Sequence, residues 1–112
     1  MADDLKVLGQ VDPSATTTTT LYTVPDMTQT TVSSIVAANR TGSAITFRLS
    51  VHVAGAGADD KQYLYYDKTI AKESFAATVL GITLNQTDVV KVYTSAVDMS
   101  FNIFGCETKE ER

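Results

Sequence analysis

The stretch Ala44–Val53, AITFRLSVHV, places an apolar residue at every second position. Successive side chains of a β-strand point to opposite faces, so this alternation predicts a half-buried antiparallel strand. The side chains expected to face the core are Ile45, Phe47, Leu49, Val51 and Val53. The opposite, polar face would carry Arg48 and His52, and we expect that histidine to lie at the surface.

Six further segments show weaker forms of the same pattern, separated by turn residues such as Asn39–Ser43 and Asn85–Asp88. They are Leu21–Val24, Thr30–Ala38, Gln62–Tyr66, Glu73–Leu80, Val89–Thr94 and Met99–Gly105. No segment has the sustained 3.6-residue apolar spacing of a helix. Short strands at regular spacing predict an all-β fold, either an antiparallel β-sandwich or a jelly-roll-like barrel.

The chain divides by composition into three parts. Residues 1–20 contain a threonine run, Thr16–Thr20, which favours extended backbone but buries little surface, so we expect an extended N-terminal arm. Residues 21–106 would form the sandwich domain, and the charge-rich residues 107–112 a solvated C-terminal tail. The apolar residues of the arm are candidate contacts with another chain, and they are Leu5, Val7, Leu8 and Val11.

Length and charge exclude several classes. A chain of 112 residues is expected to form one domain. Its net charge of -4 disfavours nucleic-acid binding, which depends on clustered lysine and arginine. The first residues are acidic where a secretory signal needs basic ones, and no apolar run is long enough to span a membrane, so we expect synthesis in the cytosol and no membrane contact.

Residues with catalytic or metal-binding chemistry are sparse. Cys106 and His52 are the single cysteine and the single histidine, so neither an intrachain disulfide nor a multi-histidine zinc site can form. The loop Gly55–Asp60 resembles a phosphate-binding loop only superficially, because two acids follow its glycines. We therefore predict no catalytic, cofactor-binding or metal-binding residues, and a protein that is not an enzyme.

Tyrosines are concentrated in Tyr63–Tyr66. Alternation would place Tyr63 and Tyr65 on one face of a strand and the remaining pair, Leu64 and Tyr66, on the other. One interpretation is a central strand that is buried on both sides. The alternative is that Tyr63 and Tyr65 meet another chain, since tyrosine is favoured at protein interfaces.

Most of the sequence, from Gly9 to Glu107, resembles small virion structural proteins of tailed bacteriophages. The segments that carry the resemblance are Leu21–Pro25, Val32–Asn39, Lys61–Asp67, Ser74–Thr78, Leu80–Leu84, Asp88–Tyr93 and Met99–Gly105. These segments are structural in character. The resemblance implies a non-enzymatic protein of the virion that is made in the cytoplasm of a bacterial host.

The resemblance leaves several positions in the particle open. A compact β domain with an extended arm suits a capsid cement or decoration protein, which would bind the phage major capsid protein and stabilise the head shell. The alternatives are a tail, baseplate or fibre-associated protein that binds tail proteins, and a receptor- or carbohydrate-binding module. The resemblance also suggests a homo-oligomer, with a trimer at local three-fold positions, and it implies no cofactor.

Overall fold

The computed structural model describes residues 2–78 and 82–109, which form two antiparallel sheets packed face to face. These ranges contain nine strands and two single-turn 3-10 helices, Val53–Gly55 and Asp60–Gln62. The strands are β1 Ala2–Val11, β2 Thr19–Thr23, β3 Thr28–Asn39, β4 Ile45–His52, β5 Tyr63–Ile70, β6 Phe75–Thr78, β7 Ile82–Leu84, β8 Val89–Thr94 and β9 Met99–Lys109. The predicted all-β antiparallel sandwich is confirmed.

The first sheet has the strand order β1-β9-β3-β6, and β7 also pairs with β3. The second sheet has the order β2-β8-β4-β5. Most neighbours are distant in the sequence, because the chain crosses repeatedly from one sheet to the other. In these strand orders, β1 lies at one edge of the first sheet, and β5 lies at an edge of the second.

The alternating strand β4 contributes to the core as predicted over most of its length. Phe47 and Leu49 are 3% and 1% exposed, and Ile45 is also buried. Val51 is only half-buried, and Val53 is 69% exposed. The prediction was wrong at Val53 because β4 ends one residue earlier and the chain enters a 3-10 turn.

His52 is buried, at 3% exposure, and not at the surface as its place in the alternation predicted. Its Nδ1 donates to the carbonyl oxygen of Ala56 at 2.9 Å. Its Nε2 lies 2.9 Å from the hydroxyl of Ser50, which is also buried. The loop that follows β4 thus folds back over the ring, and both ring nitrogens are satisfied.

β9 alternates without interruption, but both of its neighbours contain a bulge. The register shifts between Val7 and Gly9 in β1, and between Val32 and Ser34 in β3. The bulge in β3 reverses its alternation, so Val32 and Ile35 both face the core, at 2% and 3% exposure. Simple alternation along the predicted strand Thr30–Ala38 places these two residues on opposite faces, and it is wrong there.

A separate N-terminal arm is not evident. β1 pairs with β9 from Ala2↔Lys109 to Val11↔Phe101, so the expected arm is an integral edge strand. Strand propensity indicated extended backbone, but it could not identify the partner, which lies about a hundred residues away.

The expected charged tail also differs from the structure. Glu107 is 2% exposed and lies within β9, which continues to Lys109. The rest of the tail, residues 110–112, lies outside the described residues, as does the predicted end of a strand at Leu80.

Candidate interaction surfaces

The four apolar residues of β1 divide between two environments. Leu5 and Val7 point outward and are 83% and 48% exposed. Leu8 and Val11 are half-buried and pack against the core. The bulge between Val7 and Gly9 accounts for the change of side, because it adds one residue to the alternation. Leu5 and Val7 are therefore the members of this set that another chain could contact.

The inner side of β1 joins a buried polar network at one end of the sandwich. The ammonium of Lys6 lies 2.9 Å from Oε1 of Glu107. The other carboxylate oxygen, Oε2, accepts a hydrogen bond from the hydroxyl of Tyr22 at 2.5 Å. That hydroxyl also lies 2.8 Å from Oγ1 of Thr30, which is 1% exposed. The network links β1 and β9 of one sheet with β2 of the other.

This network shifts the pKa values of its members. Burial raises the pKa of Glu107, but the hydrogen bonds from Tyr22 and Lys6 lower it more, so the net pKa is lowered and the carboxylate stays ionised. The hydrogen bond to Glu107 raises the pKa of Lys6. Burial, followed by the contact with Glu107, raises the pKa of Tyr22. Because each group holds its partner in one ionisation state, we assign the network a structural role.

The outer face of the first sheet carries uncharged side chains along β3, β6 and β9. Phe75 is its most exposed large apolar residue, at 66%. The other outward residues are Gln29, Thr31, Ser33, Ser34, Val36, Ala38, Ala77, Ser100, Asn102, Phe104, Cys106 and Thr108. We call this the uncharged face. Cys106 is half-buried on it, as expected for a small apolar residue.

The tyrosines of β5 lie in different environments. Tyr65 is half-buried and packs on the core, with its ring centroid 5.6 Å from that of Phe47. Tyr63 is also half-buried. Its ring centroid lies 4.9 Å from that of Tyr66, and the two rings are nearly perpendicular. Tyr66 is 57% exposed and Leu64 is 42% exposed. Tyr65 faces the core, but Tyr63 lies on the opposite side of β5, because the register with β4 shifts between Leu49↔Tyr65 and Ser50↔Tyr63. The alternation that placed Tyr63 and Tyr65 on one face was therefore wrong. Leu64 and Tyr66 are the more exposed of the four residues.

An arginine lies between two tyrosines on the outer face of the second sheet. The guanidinium of Arg48 is 4.1 Å from the ring centroid of Tyr66 and 4.4 Å from that of Tyr93. Its Nε donates to Oδ1 of Asp67 at 2.7 Å, and this hydrogen bond is the main cause of the raised pKa of Arg48. The partners come from two other strands, β5 and β8, so sequence reasoning missed the cluster. The available signal was the position of Arg48 on the polar face of β4.

Beside this cluster, Asp60, Tyr63 and Tyr66 line a shallow depression of about 310 Å³. Within residues 2–78 and 82–109, no group of three or more histidine, cysteine or acidic side chains is placed to hold a metal ion. No helix in the same ranges is long and apolar enough to cross a membrane.

Comparisons with known proteins identify the fold and no family. No protein-family model and no curated protein match the sequence. A chain from the disulfide-linked pili of Bacillus endospore appendages is similar in structure, with a TM-score of 0.59, 13% identity and coverage of 98% of this chain and 88% of that one. A chain of infectious bursal disease virus, Gx strain, has a TM-score of 0.54 and 13% identity. The match covers 95% of this chain and 31% of the viral one.

Proposed function

We propose that this protein is a non-enzymatic structural subunit that acts by binding other copies or other proteins within a large assembly. The observation that carries the proposal is that the sandwich occupies nearly the whole chain, and that both similar chains, of a pilus and of a virus, come from such assemblies. The exposed residues Leu5, Val7 and Phe75 on its first sheet supply contact surface.

Within this class we propose a capsid cement protein of a tailed bacteriophage. The resemblance of residues 9–107 to small phage virion proteins supports this choice. A pilus subunit joined by disulfides, as in the endospore appendages, is less suited to a chain with a single, half-buried cysteine. The alternative position, in a tail or baseplate, is consistent with the same fold.

The uncharged face can supply most of a stable interface. Three strands about 4.8 Å apart, along the 11 residues of β9 at about 3.4 Å each, give a face of roughly 540 Å². A standard protein interface buries about 800 Å² on each partner, so neighbouring surface such as Leu5 and Val7 of β1 would also take part. Because the face lacks charged side chains, a partner could cover it without the free-energy cost of desolvating charged groups. A cement bound in this way stabilises an assembled shell, since its binding free energy is lost when the shell dissociates.

The proposal is tested by locating the chain in an intact particle. Quantitative mass spectrometry of purified phage should find copies in the hundreds, and particles stripped of the protein should disrupt at a lower temperature. Adding back the purified protein should restore their stability. Copies in the tens at the tail would support the alternative, and a protein that binds no assembly and does not self-associate would refute the proposal.

A second candidate function is saccharide binding at the depression between Tyr63 and Tyr66. Aromatic rings can pack on a sugar ring, and a carboxylate beside them, here that of Asp60, can accept hydrogen bonds from the sugar's hydroxyl groups. The test is titration with bacterial surface glycans. Binding should be lost in Tyr66→Ala and retained in Tyr93→Ala, whose ring also contacts Arg48 but does not line the depression.

A further inference from the structure

β1 leaves one of its edges without a strand partner among the described residues. It pairs with β9 on one side only, over a length of 10 residues. A free edge presents unpaired N–H and C=O groups, which can bind another strand. Charged side chains on an edge strand usually prevent unselective pairing with other strands. On β1 these side chains are Asp3, Asp4 and Lys6.

Symmetry restricts how two copies of this edge can pair. Closed homodimers form around a two-fold axis, and two equal strands related by such an axis perpendicular to the sheet are antiparallel. Residues that lie directly opposite each other must then point to the same face. The axis must therefore pass through a residue that lies opposite its own copy, and the choices along the charged segment are Asp4, Leu5, Lys6 and Val7.

The charges of β1 distinguish these four registers. An axis at Asp4 would place two aspartates opposite each other, and an axis at Lys6 would place two lysines together. An axis at Val7 would place Lys6 opposite the apolar Leu8. An axis at Leu5 places Asp4 of each copy opposite Lys6 of the other, and Leu5 opposite Leu5. Opposite charges stabilise a cross-strand pair and like charges destabilise it, so the Leu5 register is selected.

We propose that two copies of this chain pair through β1 with Leu5 on the two-fold axis. The inference rests on the proposed self-association of the subunit, and it names the surface and the register. The side chain of Asp4 is 56% exposed, which leaves it accessible to a second copy. Leu5, at 83% exposure, becomes covered by its own copy. The ammonium of Lys6 lies 2.9 Å from Glu107 and 3.7 Å from Asp4 of the same chain, and its side chain is still 41% exposed.

Disulfide cross-linking tests the register. The full chain would carry Cys106→Ser. Cys106 lies opposite Leu5 in the same sheet and would otherwise form an intrachain disulfide with a cysteine introduced at position 5. In this background, Leu5→Cys should give a covalent dimer on treatment with the thiol oxidant diamide. Asp4→Cys and Val7→Cys should not, because their own copies would lie about 8 Å and 14 Å away, beyond the roughly 7 Å Cα separation of a disulfide.

A charge reversal tests the same register without cysteine. Asp4→Lys places a lysine opposite Lys6 in each of the two symmetry-related pairs of the dimer. The dissociation constant measured by sedimentation equilibrium should therefore rise about tenfold or more. Asp3→Lys changes the net charge equally. In this register residue 3 lies opposite Val7, so the control variant should dimerise nearly as well as the original chain.

The outcomes separate this inference from the function on which it rests. A self-associating chain that cross-links at residue 7, or fails to cross-link at residue 5, overturns the register and leaves the structural function intact. A chain that stays monomeric alone but joins a particle overturns the pairing through β1. A chain that does neither refutes the proposed function as well.

Discussion

The hydroxyl of Tyr22 donates a hydrogen bond to the carboxylate of Glu107 across 2.5 Å, and this contact joins the two sheets at one end of the sandwich. Both side chains are buried, at 7% and 2% exposure. Lys6 approaches the other carboxylate oxygen, so the charge of Glu107 is compensated. A buried carboxylate is tolerated only with partners of this kind.

Stability should fall in acid because of Glu107. Its pKa in the folded chain is lowered, whereas an unfolded glutamate titrates near pH 4.3. Its contribution is therefore complete above about pH 4.3 and is lost as the pH falls through the lowered value. Urea unfolding between pH 3 and 7 should show this loss in the original chain and much less of it in Glu107→Gln. Glu73→Gln, at an exposed turn, is the control, and equal pH profiles for all three chains would contradict the assignment.

Phe47 should be far more important for stability than its neighbour Arg48. Its ring lies 5.6 Å from that of Tyr65 and 5.8 Å from that of Phe101, within the core. Phe47→Ala removes this packing and leaves a cavity, at a cost of about 3–5 kcal/mol. Arg48→Ala should cost much less, because its contacts lie on the solvated face. Chemical denaturation measures both variants, and similar losses would refute the assignment of faces.

Gly105 should not tolerate a side chain. A Cβ at this position would lie 2.3 Å from the carbonyl oxygen of Thr31 and 3.0 Å from Cα of Val32. Gly105→Ala should therefore force β9 and β3 apart, with a loss of roughly 1–3 kcal/mol. Gly57→Ala is the matched control, because no atom lies within 4 Å of its added Cβ. Thermal unfolding should show a lower Tm for Gly105→Ala alone.

Asn39 should be required for the turn that follows β3. It is 2% exposed, and its Nδ2 lies 2.9 Å from the carbonyl oxygen of Ser43 and 3.1 Å from that of Ile70. Asn39→Ala removes these hydrogen bonds, while the carbonyl oxygen of Ser43 keeps the hydroxyl of Thr41 as a donor at 2.8 Å, so we expect a loss of about 1–3 kcal/mol. Asn102→Ala, which removes only an exposed hydrogen bond with Gln10, should change the free energy of unfolding little.

Local pattern predicted the strands whose alternation is regular. β8 has the predicted bounds, Val89–Thr94, and Phe47 lies in the core as its position in β4 indicated. The bulge in β3 could not be found in this way. It begins where Val32 pairs with Gly105, in a strand about seventy residues away, and both Ser33 and Ser34 are compatible with either face.

The sequence predicted single candidate contact residues, but it did not predict which strands and side chains lie next to them. The exposure of Leu5 and Val7 follows from their positions on an edge strand, but the sequence does not show which strand β1 joins. The contact of Arg48 with Tyr66 and Tyr93 likewise requires the order β8-β4-β5. Such order is set by long-range pairing, which local propensity does not encode.

The pairing of Ala2 with Lys109 has a mechanical consequence. Force applied between these two residues would pull the ends of β1 and β9 apart at the same place. Antiparallel strands loaded in this way open one hydrogen bond after another, and not all at once as they do in shear. The opening would reach Lys6, opposite Gly105, after a few residues and would separate its ammonium from Glu107. Tension on this end of the molecule would therefore release β1 while the rest of the sandwich still holds.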